Sequence, residues 1–133
     1  MLEKVVPAMN AAYQKVLIVD DDQETAEFLE ELVTNLGLAV IVAHSAREAK
    51  TILQHETVGL MIVDNLMPGM TGTALVRDLR REGRKNPIIL FSGCLPAKVD
   101  ALRQELHLVE VLEKPLEPKV LVELILRHAQ TAS

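Results

Sequence analysis

The sequence predicts a three-layer α/β sandwich, with a parallel five-stranded sheet between two layers of helices. Two observations carry this prediction. From Lys15 onward, short and nearly continuous runs of Val, Ile and Leu recur five times, as in strands that are buried on both faces. Amphipathic segments with helical spacing separate these runs. Right-handed crossovers leave few possible topologies, and we favour a flavodoxin-like (βα)5 arrangement with strand order 2-1-3-4-5.

The five apolar runs are rich in branched aliphatic residues and are short, as buried strands usually are. Each is followed by polar residues or a turn signal, which marks the end of the strand. The predicted strands are Val16 to Val19, Ala39 to Ala43, Leu60 to Val63, Ile88 to Phe91 and Leu108 to Leu112.

The segments after the strands predict five helices. Ser45 and Glu48 fit a capping box, in which the hydroxyl accepts a backbone N–H and the carboxylate reaches back. Pro118 suits the first turn of the last helix, where a missing N–H costs little. The apolar positions expected to face the core are Ala26, Leu29, Val33 and Leu36; Ala49, Ile52 and Leu53; Leu75, Val76 and Leu79; Leu95, Val99, Leu102 and Leu106; and Leu121, Leu124 and Ile125.

Composition excludes several classes of protein. The 133 residues suit one domain, and 49% hydrophobic and 25% charged residues are typical of globular chains. No apolar run is long enough to span a membrane, and the single Cys94 cannot form an intrachain disulfide, so we expect a cytoplasmic protein. A net charge of -5 argues against direct binding to nucleic acid. Residues 1–14 are predicted to be a flexible N-terminal leader.

Polar side chains follow several of the predicted strands, at the edge of the sheet where α/β proteins place their sites. Asp20, Asp21 and Asp22 come directly after the first strand. Three adjacent carboxylates repel one another, and a hard cation such as Mg²⁺ would offset that repulsion. Alternatively, Asp22 only caps the following helix, although that leaves Asp20 and Asp21 unexplained.

The remaining strand ends complete a set of groups suited to phosphoryl chemistry. Asp64 follows the third strand, and we expect the turn built from Pro68, Gly69 and Gly72 to expose it beside the first acidic cluster. A carboxylate there can act as a nucleophile toward phosphorus. Ser92 and Lys114 end the fourth and fifth strands and supply a hydroxyl and an ammonium at the same edge.

Four segments of the chain, VLIVDDD, IVDNLMPGMTG, IILFSG and LEKP, resemble the motifs of response-regulator receiver domains of two-component signalling, in that family's order and spacing. The resemblance covers roughly residues 15–130, which we take as the receiver domain. It implies that Asp64 is the phosphoacceptor, that Asp21 binds Mg²⁺ directly and Asp20 through water, and that Leu66 supplies a backbone carbonyl to the metal. It also implies that Ser92 and Lys114 bind the phosphoryl group and that the Lys114–Pro115 bond is cis.

The resemblance also implies a function and partners. A histidine kinase or histidine phosphotransfer protein would supply the phosphoryl group from a phosphohistidine. The modified domain would then change its protein contacts, through a homodimer or an output domain at the face formed by helix four, strand five and helix five. Such a domain is a switch that assists its own phosphorylation and dephosphorylation, and is not an enzyme with turnover.

The sequence departs from the family at a few positions. Receivers usually carry an aromatic residue where this chain has Val111, so signal output must use other movements or be weak. Leu66 and Cys94 occupy positions that influence self-hydrolysis in the family, and neither offers a carboxylate or amide to orient water. Val122 and Leu126 lie on a second apolar face of the last helix, where they fit a dimer or domain interface or are buried under the N-terminal leader.

The sequence is also compatible with two other functions. Asp20 and Asp22 after the first strand, together with Ser92 and Lys114, also resemble the haloacid-dehalogenase phosphatases. That family usually needs a further acidic pair after the lysine on the sheet, whereas here the acidic residues after Lys114, Glu117 and Glu123, are predicted to lie on the last helix. A degenerate receiver that acts only as an interaction module is the other alternative. A basic run after Leu75, from Arg77 to Lys85, is interpreted as a solvated helix end with cations near its C-terminal dipole.

Overall fold

The computed structural model describes residues 15–93 and 97–129 and confirms the predicted fold class. All five strands are parallel and lie in the order β2-β1-β3-β4-β5. The predicted leader, together with Cys94 and Leu95, lies outside the described residues. The strands are β1 (Lys15–Val19), β2 (Val40–Ala43), β3 (Val58–Asp64), β4 (Ile88–Ser92) and β5 (Glu110–Glu113).

Helices cover both faces of the sheet and form two separate apolar cores with it. On one face, α1 and α5 pack through residues such as Leu29 and Leu121, whereas α2, α3 and α4 pack on the other. The three central strands β1, β3 and β4 are almost wholly buried, as their continuous aliphatic sequences predict. The helices are α1 (Gln23–Asn35), α2 (Ala46–His55), α3 (Gly72–Arg81), α4 (Val99–Leu106) and α5 (Pro118–Ala129).

Side-chain caps begin the helices that follow the first three strands. Asp22 caps α1 by accepting from the backbone N–H of Thr25 at 3.0 Å. Ser45 caps α2 by accepting from the N–H of Glu48, whose carboxylate in turn accepts from the N–H of His44 at 2.7 Å. The predicted capping box is therefore present, with one difference. The Glu48 carboxylate binds the N–H of His44, one residue before the Ser45 N–H that a standard capping box uses.

The fifth strand begins two residues later than the sequence predicts. His107 ends α4 in the left-handed conformation, with φ 53, and Leu108 then connects the helix to the strand. Leu108 is buried in the core formed with α2, α3 and α4. Its apolar character reflects that burial rather than strand pairing, which starts at Glu110 opposite Ile89.

The last helix buries the residues predicted for its core face and leaves others at the surface. Leu121, Leu124 and Ile125 are buried against the sheet. Leu126 is exposed, Val122 is only half-exposed, and Val120 is the other exposed apolar residue of this helix. No helix in the two described stretches has both the length and the apolar content needed to cross a membrane.

Candidate functional site

Three carboxylates meet at the carboxyl edge of the sheet. Because β1 and β3 are neighbouring parallel strands, the residues at their ends lie side by side. Asp20, Asp21 and Asp64 each place a carboxylate oxygen within 4.8 Å of the others. Asp20 and Asp64 are buried, and Asp21 is exposed at the rim. Oxygen ligands gathered at this spacing fit a hard divalent cation.

Asp20 is the carboxylate of this cluster whose oxygens are least well satisfied within the protein. Its Oδ1 accepts a hydrogen bond from the N–H of Asp22 at 2.9 Å, whereas its buried Oδ2 has no hydrogen-bond partner among residues 15–93 and 97–129. Burial, reinforced by the charge of Asp64, raises the pKa of Asp20 to about 6, although the Asp22 N–H opposes the shift. A buried carboxylate oxygen without a partner is costly, and a metal ion would satisfy it.

Asp64 ends β3 beneath the side chain of Lys114. Its Oδ1 lies 3.5 Å from Lys114 Nζ and accepts a long hydrogen bond from the N–H of Leu66 at 3.4 Å. The residue is only 2% exposed, so the sequence-based expectation of an exposed Asp64 is wrong. Asp20, the Lys114 ammonium and the N–H of Leu66 lie close to its carboxylate.

The loop after Asp64 is tied to α3 by a residue that the sequence analysis missed. Asn65 accepts from the N–H and the hydroxyl of Thr73, at 2.9 and 2.7 Å. Its own N–H donates to the carbonyl of Phe91 on β4, and its carbonyl accepts from the N–H of Gly72. An Asn after a strand is a general turn signal, so nothing in the sequence distinguished this role.

Lys114 approaches the acidic cluster from the loop after β5. Its N–H donates to the carbonyl of Ser92 at 2.9 Å, which fastens the loop to the end of β4. The Lys114–Pro115 peptide bond is cis, as the resemblance implies. The ammonium also lies 5.1 Å from the ring centroid of Phe91, a contact that the sequence did not reveal.

The other predicted site residues lie on the same edge. Ser92 is buried at the end of β4, one residue beyond Phe91, which pairs with Asp64 in the sheet. The N–H of Leu66 contacts Asp64, and the Leu66 side chain is 59% exposed. Val111 is buried in the core with α2, α3 and α4, so it has a packing role and does not line the acidic cluster.

Comparison with known proteins places this arrangement in a single family. The model of the response regulator receiver domain matches residues 16–126. The chain is 34% identical to the response regulator protein FleR of Pseudomonas aeruginosa over 117 residues, which are 86% of this chain but 24% of FleR. The chain therefore spans about a quarter of the length of that relative.

Solved structures agree with the family model. A response regulator receiver protein from Pseudomonas putida is 30% identical, covers 90% of this chain with 100% of its own, and has a TM-score of 0.81. The response regulator TrrA of Thermotoga maritima, solved in complex with Mg²⁺-BeF, shares the fold at 24% identity, with a TM-score of 0.76 over 86% of this chain and 97% of its own. The acidic cluster, the strand order and these matches agree, and this chain belongs to the response regulator receiver domain family.

Proposed function

We propose that residues 15–130 form a phosphoacceptor receiver and that Asp64 is the residue phosphorylated. The observation that carries the proposal is the convergence of three carboxylates with the Lys114 ammonium at one edge of the sheet. Of the three carboxylates, Asp64 forms the ion pair with Lys114, at 3.5 Å. That is the arrangement expected of a nucleophile whose product is an acyl phosphate.

The roles of the individual residues follow from their positions. Asp64 attacks phosphorus through a carboxylate oxygen, the P–N bond of the donor phosphohistidine breaks, and the donor imidazole keeps the electron pair. The Lys114 ammonium balances the charge that builds on the phosphoryl oxygens, and the buried Ser92 hydroxyl donates to one of them.

Mg²⁺ is the cofactor that the acidic cluster fits best. Asp21 and Asp64 would bind it directly with the Leu66 carbonyl, and Asp20 would act through water, as in the family. When bound, Mg²⁺ neutralises phosphoryl charge during transfer. The unpartnered Oδ2 of Asp20 and the oxygen-only ligand set support this choice over softer metals.

The partners proposed are those of two-component systems. A cytoplasmic histidine kinase or histidine phosphotransfer protein would supply the phosphoryl group. The output surface would be the face of α4, β5 and α5. The last helix, α5, carries two exposed apolar residues, Val120 and Leu126, which would be available to a second copy or an output domain. Because position 111 is a valine, which is packed in the core, the switch would act without rotation of an aromatic side chain there.

Incubation with acetyl phosphate and MgCl₂, followed by intact-mass measurement, tests the proposal. We expect the mass of one phosphoryl group to be added to the wild type, and none to Asp64→Ala. Asp100→Ala, which removes an exposed carboxylate on α4, is the matched control and should be labelled like the wild type.

Two outcomes would contradict the proposal. A wild-type protein that stays unmodified with donor and Mg²⁺ would indicate a degenerate receiver that acts only by binding. Sustained release of phosphate from a phosphoester such as p-nitrophenyl phosphate would instead indicate a phosphatase of the haloacid-dehalogenase type.

A further inference from the structure

We propose that Phe91 is a positioning residue that holds the Lys114 ammonium over the phosphorylation site through a cation–π contact. The inference rests on the proposed function, because it concerns the cation that would meet the phosphoryl group. The ring of Phe91 is fully buried, and Lys114 Nζ lies 5.1 Å from its centroid. That distance is within the range in which a ring face attracts an ammonium.

The sheet register explains why the ring lies beside the phosphoacceptor. Asp64 on β3 pairs with Phe91 on β4. Side chains alternate along a strand, and Ile62 and Ile89, two residues earlier on each strand, both belong to the core formed with α1 and α5. Asp64 and Phe91 therefore lie side by side on that face, and Lys114 extends across both of them.

The ring supplies an attraction that the ion pair with Asp64 does not provide by itself. The 3.5 Å separation between Lys114 Nζ and Asp64 Oδ1 is longer than an ordinary charged hydrogen bond. The Lys114 side chain is 30% exposed, so water weakens the pair, and a flexible lysine at such a rim has many competing rotamers. The face of Phe91 favours the rotamers in which the ammonium stays above the site.

A cation that already lies over the site speeds the reaction, because no movement is needed to bring it there as negative charge develops on the phosphoryl group. Preorganised charge stabilises the transition state without reorganisation at the moment of transfer. A leucine at position 91 would fill much of the same core volume but would present no electron-rich face. We therefore attribute the positioning of Lys114 to the aromatic character of Phe91 and not to the volume of its side chain.

A comparison of Phe91→Leu with Ile89→Val, in the same core, separates the effect of the aromatic ring on Lys114 from the contribution of its volume to core packing. We expect Phe91→Leu to slow phosphorylation by acetyl phosphate by about two- to fivefold, the size expected of a cation–π contact at a partly exposed cation. Ile89→Val should retain the wild-type rate. In a Lys114→Met background, Phe91→Leu should cause no further loss, since the partner of the ring is already absent.

An NMR measurement on the wild-type protein tests the contact without relying on any variant. The ε-methylene protons of Lys114 should be shifted upfield by the ring current of Phe91. Absence of that shift, or a wild-type phosphorylation rate in folded Phe91→Leu, would overturn the assignment to Phe91. Failure of the wild type itself to accept phosphate would refute the proposed function instead, so the two failures are distinguishable.

Discussion

The backbone carbonyl of Asp64 lies directly against the α-carbon of Gly72. A β-carbon at position 72 would overlap that carbonyl oxygen and would lie 2.9 Å from Cγ1 of Val63 and 3.0 Å from the α-carbon of Asn65. The N–H of Gly72 also donates to the carbonyl of Asn65 at 2.9 Å. The end of β3 and the start of α3 are therefore in backbone contact, which only glycine permits here.

Gly72→Ala should destabilise the protein by about 1–3 kcal/mol, as overpacking of a dense interior does. At most helical positions alanine is more favourable than glycine, so a loss of stability in Gly72→Ala would itself indicate the steric overlap. It should also slow phosphorylation, because the displaced backbone carries Asp64. Urea unfolding and the acetyl phosphate assay check both effects. Gly93→Ala is the control, since a β-carbon there meets nothing within 4 Å.

The raised pKa of Asp20 predicts a pH-dependent stability of the metal-free protein. Its pKa is about 6 in the folded state and near the ordinary value of 3.8 when unfolded, so the folded state binds the proton more tightly. Stability should therefore fall as the pH rises from about 4 to 6. We expect a loss on the order of 1–2 kcal/mol, less than the roughly 3 kcal/mol of the full shift, because water reaches the rim of the site.

Unfolding by urea in EDTA, followed between pH 4 and 7.5, measures this effect. Asp20→Asn mimics the protonated side chain, so it should be more stable than the wild type at pH 7 and should lose most of this pH dependence. Identical pH profiles for the two proteins would show that Asp20 does not titrate in this range.

The same proton competes with a metal ion. Binding of Mg²⁺ to the acidic cluster should weaken as the pH falls below about 6, because Asp20 then takes up a proton instead of assisting the cation. Added Mg²⁺ should accordingly stabilise the protein more at pH 7 than at pH 5, measured as the increase in Tm. Equal stabilisation at both pH values would indicate that Mg²⁺ binds at a site other than the acidic cluster.

Leu66 predicts a long-lived phosphorylated state. Its side chain is 59% exposed beside Asp64 and carries no polar atom that could orient an attacking water. Leu66→Asn should accelerate loss of phosphate by about tenfold, less than the roughly hundredfold of positioned acid–base groups, because an amide orients water without taking its proton. The decay of mass after removal of acetyl phosphate measures this. Leu66→Met, which stays apolar, should decay like the wild type.

Much of the fold and site is encoded in short stretches of sequence. The aliphatic run before Asp20 and the one before Asp64 each specify a buried strand, and parallel pairing then brings the two carboxylates together. Long-range features are not encoded in this way. The burial of Asp64 and the contact of Lys114 with Phe91 depend on where the loop after β5 brings Lys114 relative to the ends of β3 and β4, and no local sequence pattern records that position.

The basic run of α3 also contains a long-range contact that no local sequence pattern predicts. Arg81 behaves as the sequence predicts, with a side chain 69% exposed and paired with Asp78 on its own helix. Arg80, one residue earlier, instead crosses to α4 and donates to the carbonyls of Leu106 and His107, at 2.8 and 3.2 Å. Its third bond goes to the carbonyl of Arg84. The interpretation of a fully solvated helix end is therefore wrong for Arg80.

Arg80 should consequently contribute to stability, whereas its neighbour should not. Arg80→Met keeps much of the aliphatic stem but leaves the carbonyls at the end of α4 without their charged donor, and we expect a loss of about 1–3 kcal/mol. Arg81→Met removes an exposed ion pair and should change stability by no more than about 0.5 kcal/mol. Urea unfolding of both variants measures the difference. Equal effects would mean that water replaces Arg80 at the α4 carbonyls without cost, and that the bonds from Arg80 to the end of α4 add nothing measurable to the contact between α3 and α4.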